Sequence, residues 1–182
     1  MNFNKYRFKK GFTLIEVLVV IAIIGVLASV SFSITSDSYD RSYMAKALAE
    51  ARQIEAALMV RQIDHDSYPP DADRGVVPDG LDDLIDENIW QEGPWPGSVY
   101  DWDHWVYPDH SPSEEVYQIS VRFCDKGGIN CRYPRADWAK NFDQRSAVFW
   151  CIKGPCRSHK SESLTHPGYC LNCKDNLPPY GF

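Results

Sequence analysis

At 182 residues and a formal charge of -6, the chain has room for one modest soluble domain beside an extended terminus. Without the four cations of its first eleven residues it carries 15 Lys and Arg against 25 Asp and Glu. Such an acidic remainder repels phosphate backbones and argues against nucleic acid as the main ligand.

The first eleven residues hold Lys5, Arg7, Lys9 and Lys10 and no acid, which keeps this end in the cytoplasm and aims the rest of the chain outward. From Phe12 to Ile34 run 23 residues with few polar interruptions, a helix of roughly 34 Å and long enough to cross a bilayer. One carboxylate, Glu16, lies in that run. An acid at the bilayer centre costs on the order of 2.5–3.5 kcal/mol, and less towards the interface, so Glu16 needs a partner. An ordinary secretory signal has a shorter apolar core followed by a small-residue cleavage site. Here the small residue, Gly11, precedes the core. A cut after Gly11 keeps the whole helix and creates an amine at Phe12, which a neighbouring copy shifted by about one turn could bring to Glu16.

At Lys10-Gly11-Phe12-Thr13-Leu14-Ile15-Glu16 and the apolar run after it, the chain resembles the type IV pilin and type II secretion pseudopilin superfamily. The resemblance implies that prepilin peptidase cuts between Gly11 and Phe12, that Phe12 is N-methylated, and that Glu16 assists assembly by pairing with an adjacent subunit's amino terminus. The partners it implies are other pilin subunits, prepilin peptidase, an inner-membrane assembly platform and, before assembly, the membrane. The destination it implies is an extracellular or envelope-spanning filament. Many members have a proline two-thirds of the way along the apolar helix, whereas this chain has Ser33 there and no proline before Pro69. Gly25 is then the candidate weak point, since glycine costs about 1 kcal/mol relative to alanine in a helix.

Between Thr35 and Tyr43 the chain is polar but lacks Gly and Pro, so the helix can continue. Ala47, Ala51, Ile54 and Leu58 recur at spacings that place them on one helical face, ready to pack on a sheet. Tyr68-Pro69-Pro70 stops the helix, because proline lacks the amide and restricts the residue before it. The expected organisation is a leader over 1–11, a membrane or filament-core helix over 12–34, its amphipathic continuation over 35–66 and a head over 67–182. In the head, Leu81 to Ile85 is a short helical candidate and Gly93-Pro-Trp-Pro-Gly97 a turn cluster. This order looks like the major pseudopilin of type II secretion. Val116 to Phe123 alternates as a strand, Ser146 to Ile152 is apolar enough to be a central one, and Val99 to Tyr107 offers a third. The fold expected is α+β and pilin-like, a long amino-terminal helix against a small antiparallel β-sheet. Beyond Lys153 the chain reads as an exposed, covalently stapled flap.

Cys124, Cys131, Cys151, Cys156, Cys170 and Cys173 all fall in the exported part, where an even count reads as up to three disulfides. Sequence neighbours suggest the pairs 124–131, 151–156 and 170–173, with crossed pairings open. The alternative is a zinc site from the last four thiolates, with His159 and His166 between them. Trp90, Trp95, Trp102 and Trp105 suit core packing, or, if exposed, stacking on sugars. Asp101, Asp103 and Asp109 offer hard oxygens to calcium, which the resemblance implies near the sheet, although no EF-hand spacing is present and solvated turn aspartates are the default. No cofactor is otherwise expected. There is no Gly-x-Ser-x-Gly, His-Glu-x-x-His or phosphate-binding glycine loop, so no enzyme is expected. The function read from the chain is a structural filament subunit. The alternative is a minor tip pilin, an adhesin or receptor for a sugar or DNA.

Overall fold

The computed structural model describes residues 11–107, 114–125, 127–159 and 166–173, with the side chains of 30–37 set aside. The leader cations and Asp109 lie outside the described residues. Two compact units divide at Ser38 and Tyr39, and helix α1, Leu14–His65, contributes to both.

In the first unit every described side chain of α1 is exposed, from Leu14 and Ile15 to Ile24 and Leu27. A helix that is apolar all round has no solvent face, and only a surrounding apolar phase satisfies it. Among the described residues no helix is long and apolar enough to cross a membrane. The described apolar side chains end at Ser29, roughly 24 Å into α1 at 1.5 Å per residue, against a hydrocarbon core of about 30 Å. The rest of the expected 12–34 span lies outside the described side chains.

The second unit begins at Tyr39. Here the expected stripe is buried: Ala47, Ala51, Ile54 and Leu58 share one core with Tyr100, Trp102, Ile119, Val121, Val148 and Trp150 of the sheet. Helix α1 ends at His65, and Asp66 takes the left-handed conformation (φ 59°) that a helix carboxyl cap needs and that Asp tolerates. The buried Arg61 holds the turn by donating to the carbonyls of Ser67 and Asp79. The helix expected at Leu81 to Ile85 is instead a turn, with the Ile85 amide donating to Leu81 O (3.1 Å). Asp86 is extended (ψ 123°) and accepts from the Asn88 amide, so the short helix α2 starts after it, Glu87–Gln91. The capping preference of Asp outweighs the Leu-x-x-Leu pattern.

The sheet has four strands in the order β1 (Val99–Tyr107), β2 (Glu114–Arg122), β3 (Ala147–Lys153) and β4 (Gly168–Cys170). The first two pairings are antiparallel, as expected, but β4 runs parallel to β3, so the sheet is mixed rather than antiparallel. A parallel return needs a crossover of about a dozen residues, which the segment between Lys153 and Gly168 supplies. The expected exposed flap is therefore part of the fold. Cys156 and Cys170 are buried with Trp105, Val116 and Phe149 in a second core on the sheet's other face. Gly168 is required there, because a Cβ would stand 1.7 Å from Ser158 Oγ.

Candidate functional site

Two places concentrate polar chemistry in apolar surroundings. The first is the amino end of α1. Thr13 precedes the helix, and its backbone amide and hydroxyl both donate to Glu16 Oε2 at 2.8 Å. The Glu16 amide in turn points at Thr13 Oγ1 at 3.4 Å. This is a capping box: the residue before the helix and the third residue within it satisfy each other's orphan groups. Beside the intermolecular pair expected of Glu16, Thr-x-x-Glu before an apolar run carries the box openly. The second carboxylate oxygen, Oε1, has no hydrogen bond among the described residues, and Phe12 is 86% exposed beside it in sequence. Helix α1 passes unbroken through Gly25, which has nothing within 4 Å of where its Cβ would be.

Residues 6–32, which contain this box, match the family model for the prokaryotic N-terminal methylation motif. The chain carries this motif at its amino terminus. The chain is also 33% identical over 81 residues to the type II secretion system core protein G of Aeromonas hydrophila, covering 44% of this chain and 52% of that protein. It is 35% identical over 69 residues to the type IV major pilin protein PilE1 of Neisseria gonorrhoeae, covering 38% of this chain and 32% of that one. Against the core protein G of Escherichia coli K12 the identity is 33% over 78 residues, 43% of this chain and 50% of that protein. The chain thus spans about half or less of the length of these curated relatives. All three are named as secretion-system or pilus proteins. No solved structure matches the chain.

The second place is the sheet face turned away from α1. Asp101 and Asp103 on β1 stand opposite Ser120 and Gln118 on β2, beside Arg122. Arg122, 2% exposed, donates from Nε to Asp101 (2.8 Å) and from Nη2 to both oxygens of Asp103 (3.0 and 2.8 Å). Gln118 and Ser120 also donate to Asp103, and Arg74 Nε lies 3.8 Å from Asp101. Burial works against the Arg122 charge, but Asp103 and Asp101 outweigh it and raise its pKa. Burial, and then the neighbouring Asp103, push Asp101 up to about 7 against the pull of Arg122. The two calcium candidates within the described residues thus face a guanidinium, and no group of His, Cys, Asp or Glu among those residues is placed to hold a metal.

The stapled tail closes over this network. The Gln118 amide donates to Arg157 O (2.8 Å) and accepts from the Arg157 amide (3.0 Å), while Arg122 donates to Ser158 O. The cysteines pair as 124–131, 151–156 and 170–173, which removes the thiolates that a zinc site needs. Cys170–Cys173 brackets Asn172, whose side chain accepts from the Cys151 amide (2.8 Å) and donates to Cys151 O (2.7 Å), continuing the β3 ladder where β4 stops. His166 binds Asp143 at 2.7 Å, and His159 packs edge-on against it. Trp90, Trp95, Trp102 and Trp105 are all buried, at most 9% exposed, so they pack the two cores and offer no stacking surface to a ligand.

Proposed function

We propose that this chain is a structural subunit of a type IV pilus-like or type II secretion-like filament. Prepilin peptidase cuts after Gly11, Phe12 is N-methylated, and the subunit passes from the cytoplasmic membrane to the filament through an inner-membrane assembly platform. The observation that carries this reading is the start of α1: exposed apolar side chains, as far as they are described, around one carboxylate that is only half satisfied by its own chain. Packing that helix among copies of itself removes apolar surface from water or lipid-mismatched surroundings at about 25 cal/mol per Å² in aqueous terms. An adjacent Phe12 amine can then meet Glu16 Oε1 while Oε2 keeps the helix cap, so the ion pair sets the axial register.

The capping box separates charge from capping in a direct test. Glu16→Gln keeps a side chain able to cap but removes the charge, and Glu16→Ala removes both. Both variants are expected to be cleaved and inserted in the membrane yet to give few or no filaments by electron microscopy of sheared surface material. Thr13→Ala, which keeps the charge, should still assemble. Normal filaments from Glu16→Gln would overturn the register argument, and mass spectrometry of the same material reports the Gly11 cut and the methyl group.

A further inference from the structure

We propose that the head docks onto the head of a second copy, with an acidic loop between α1 and β1 of one chain meeting a basic loop between β2 and β3 of the other. The proposal rests on the assembly of this chain with copies of itself and names the surface that the head contributes. From Asp79 to Glu87 the chain holds the acids Asp79, Asp82, Asp83, Asp86 and Glu87 and no cation. From Arg132 to Phe142 it holds the cations Arg132, Arg135 and Lys140 against the single acid Asp137. All of these charged residues are exposed.

The fold holds the two loops at opposite ends of the head's part of α1. The acidic loop lies against the carboxyl end: Arg61 donates to Asp79 O (3.2 Å), and a Cβ on Gly80 would stand 3.3 Å from Arg61 and 3.6 Å from His65. Leu81 and Ile85 are buried in the main core, which leaves Asp82, Asp83 and the 41% exposed Leu84 on the outside of the turn. Asp86 and Glu87 continue the row into α2. The basic loop lies at the other end, because Trp95 packs on Tyr43 (ring centres 6.4 Å apart), on Phe123 (5.6 Å) and on Trp138 (5.8 Å). Phe123 O accepts from the Arg132 amide (2.8 Å), the Arg132 side chain crosses Gly97, and Lys140 follows the short 3₁₀ turn Asp137–Ala139. From Tyr43 to Arg61 the helix rises about 27 Å at 1.5 Å per residue.

Charge complementarity selects the occupant. Asp82, Asp83 and Glu87 at one end, and Arg132, Arg135 and Lys140 at the other, meet no opposite charge among the described residues. Within one chain the two ends are screened from each other, since the Debye length is only about 8 Å at physiological salt. A second copy supplies what each end lacks, whereas an anionic surface would answer the basic end alone. Two acidic ends repel, as do two basic ends, so the contact runs head to tail. Such a contact leaves one acidic and one basic end free, so it can repeat along an open row of copies. Leu84 amid the acids and the 65% exposed Ile129, shortly before Arg132, give each end one large apolar side chain to bury.

Isotopically heavy and light full chains, mixed in zwitterionic micelles, can be treated with a water-soluble carbodiimide, which joins an amine to a touching carboxylate, and read by mass spectrometry. A bond from Lys140 of one copy to Asp82, Asp83, Asp86 or Glu87 of another is expected, falling about tenfold between roughly 0.05 and 0.5 M salt. The variant Asp82→Lys, Asp83→Lys, Glu87→Lys should lose it, and so should Arg132→Glu, Arg135→Glu. Mixing the two variants should create a new bond between the introduced lysines of one and the introduced glutamates of the other, a gain that misfolding cannot produce. No Lys140 bond between copies of the parent chain, or no new bond in the mixture, would overturn the proposal. Retention of the basic end on phosphatidylglycerol micelles without any bond between copies would overturn it in favour of a lipid partner. A chain that builds filaments without the bond would sink this surface alone, and a chain that forms the bond but builds no filaments would sink the filament reading alone.

Discussion

The two halves of α1 share a helix and almost nothing else. Before Ser38 every described apolar side chain is exposed and Glu16 satisfies one oxygen within its own chain. After Tyr39 the apolar stripe is covered, and the head's buried guanidinium is met by two carboxylates and two backbone carbonyls. The first half therefore depends on something outside the chain, and the second meets its most buried charge, that of Arg122, by itself. Exposed apolar surface and an unfinished polar group mark an interface, whereas finished polar groups mark a fold.

Breaking the head where it is most self-sufficient should produce the largest effect. Arg122→Ala leaves Asp101 and Asp103 buried without their counter-charge, and a loss of about 3–5 kcal/mol is expected in urea unfolding of the chain in micelles. Adding Asp101→Asn and Asp103→Asn should recover part of that loss, and no recovery would show that packing rather than charge was removed. Next comes the staple: replacing Cys170 and Cys173 by Ser frees a short loop, which costs about 2 kcal/mol, and amide exchange at Cys151 should accelerate as Asn172 loses its position.

On the other side of the comparison, Thr13→Ala removes the capping box and is expected to cost about 1 kcal/mol, seen as faster exchange of the Glu16 and Val17 amides with the head unaffected. The smallest effect concerns protons. Burial, followed by Arg122 and Arg145, lowers the His159 pKa to about 4 from an ordinary value near 6.5. A depressed histidine adds stability that is full above about 6.5 and is lost as pH falls towards 4, because the unfolded chain takes up the proton first. His159→Gln should flatten the pH dependence of stability across that window. The His159 ring should titrate near pH 4 by NMR, and titration near 6.5 would show that the tail does not cover the network.

Much of this was legible in the residues. The stripe at 47, 51, 54 and 58 is periodic because one helix face meets the sheet, and β1 was expected between the same residues that form it. The Thr13 to Glu16 box is equally legible, as Thr-x-x-Glu before an apolar run. What failed had a common cause. Asp101 and Asp103 read as solvated turn aspartates or calcium ligands, and the cysteine tail reads as an exposed, stapled flap. Each is correct about local pattern and silent about what lies on top.

By itself the sequence determined the charge asymmetry of the first eleven residues, the apolar helix with its lone acid, and the strands' alternation, because these follow from side-chain type and spacing along one chain. Only the tertiary structure decided that the tail returns parallel to β3, that Trp90, Trp95, Trp102 and Trp105 are buried, and that a guanidinium meets the paired aspartates. Those outcomes depend on contacts between residues 20 to 50 positions apart, whose geometry is set by packing and by the need of every buried polar group for a partner.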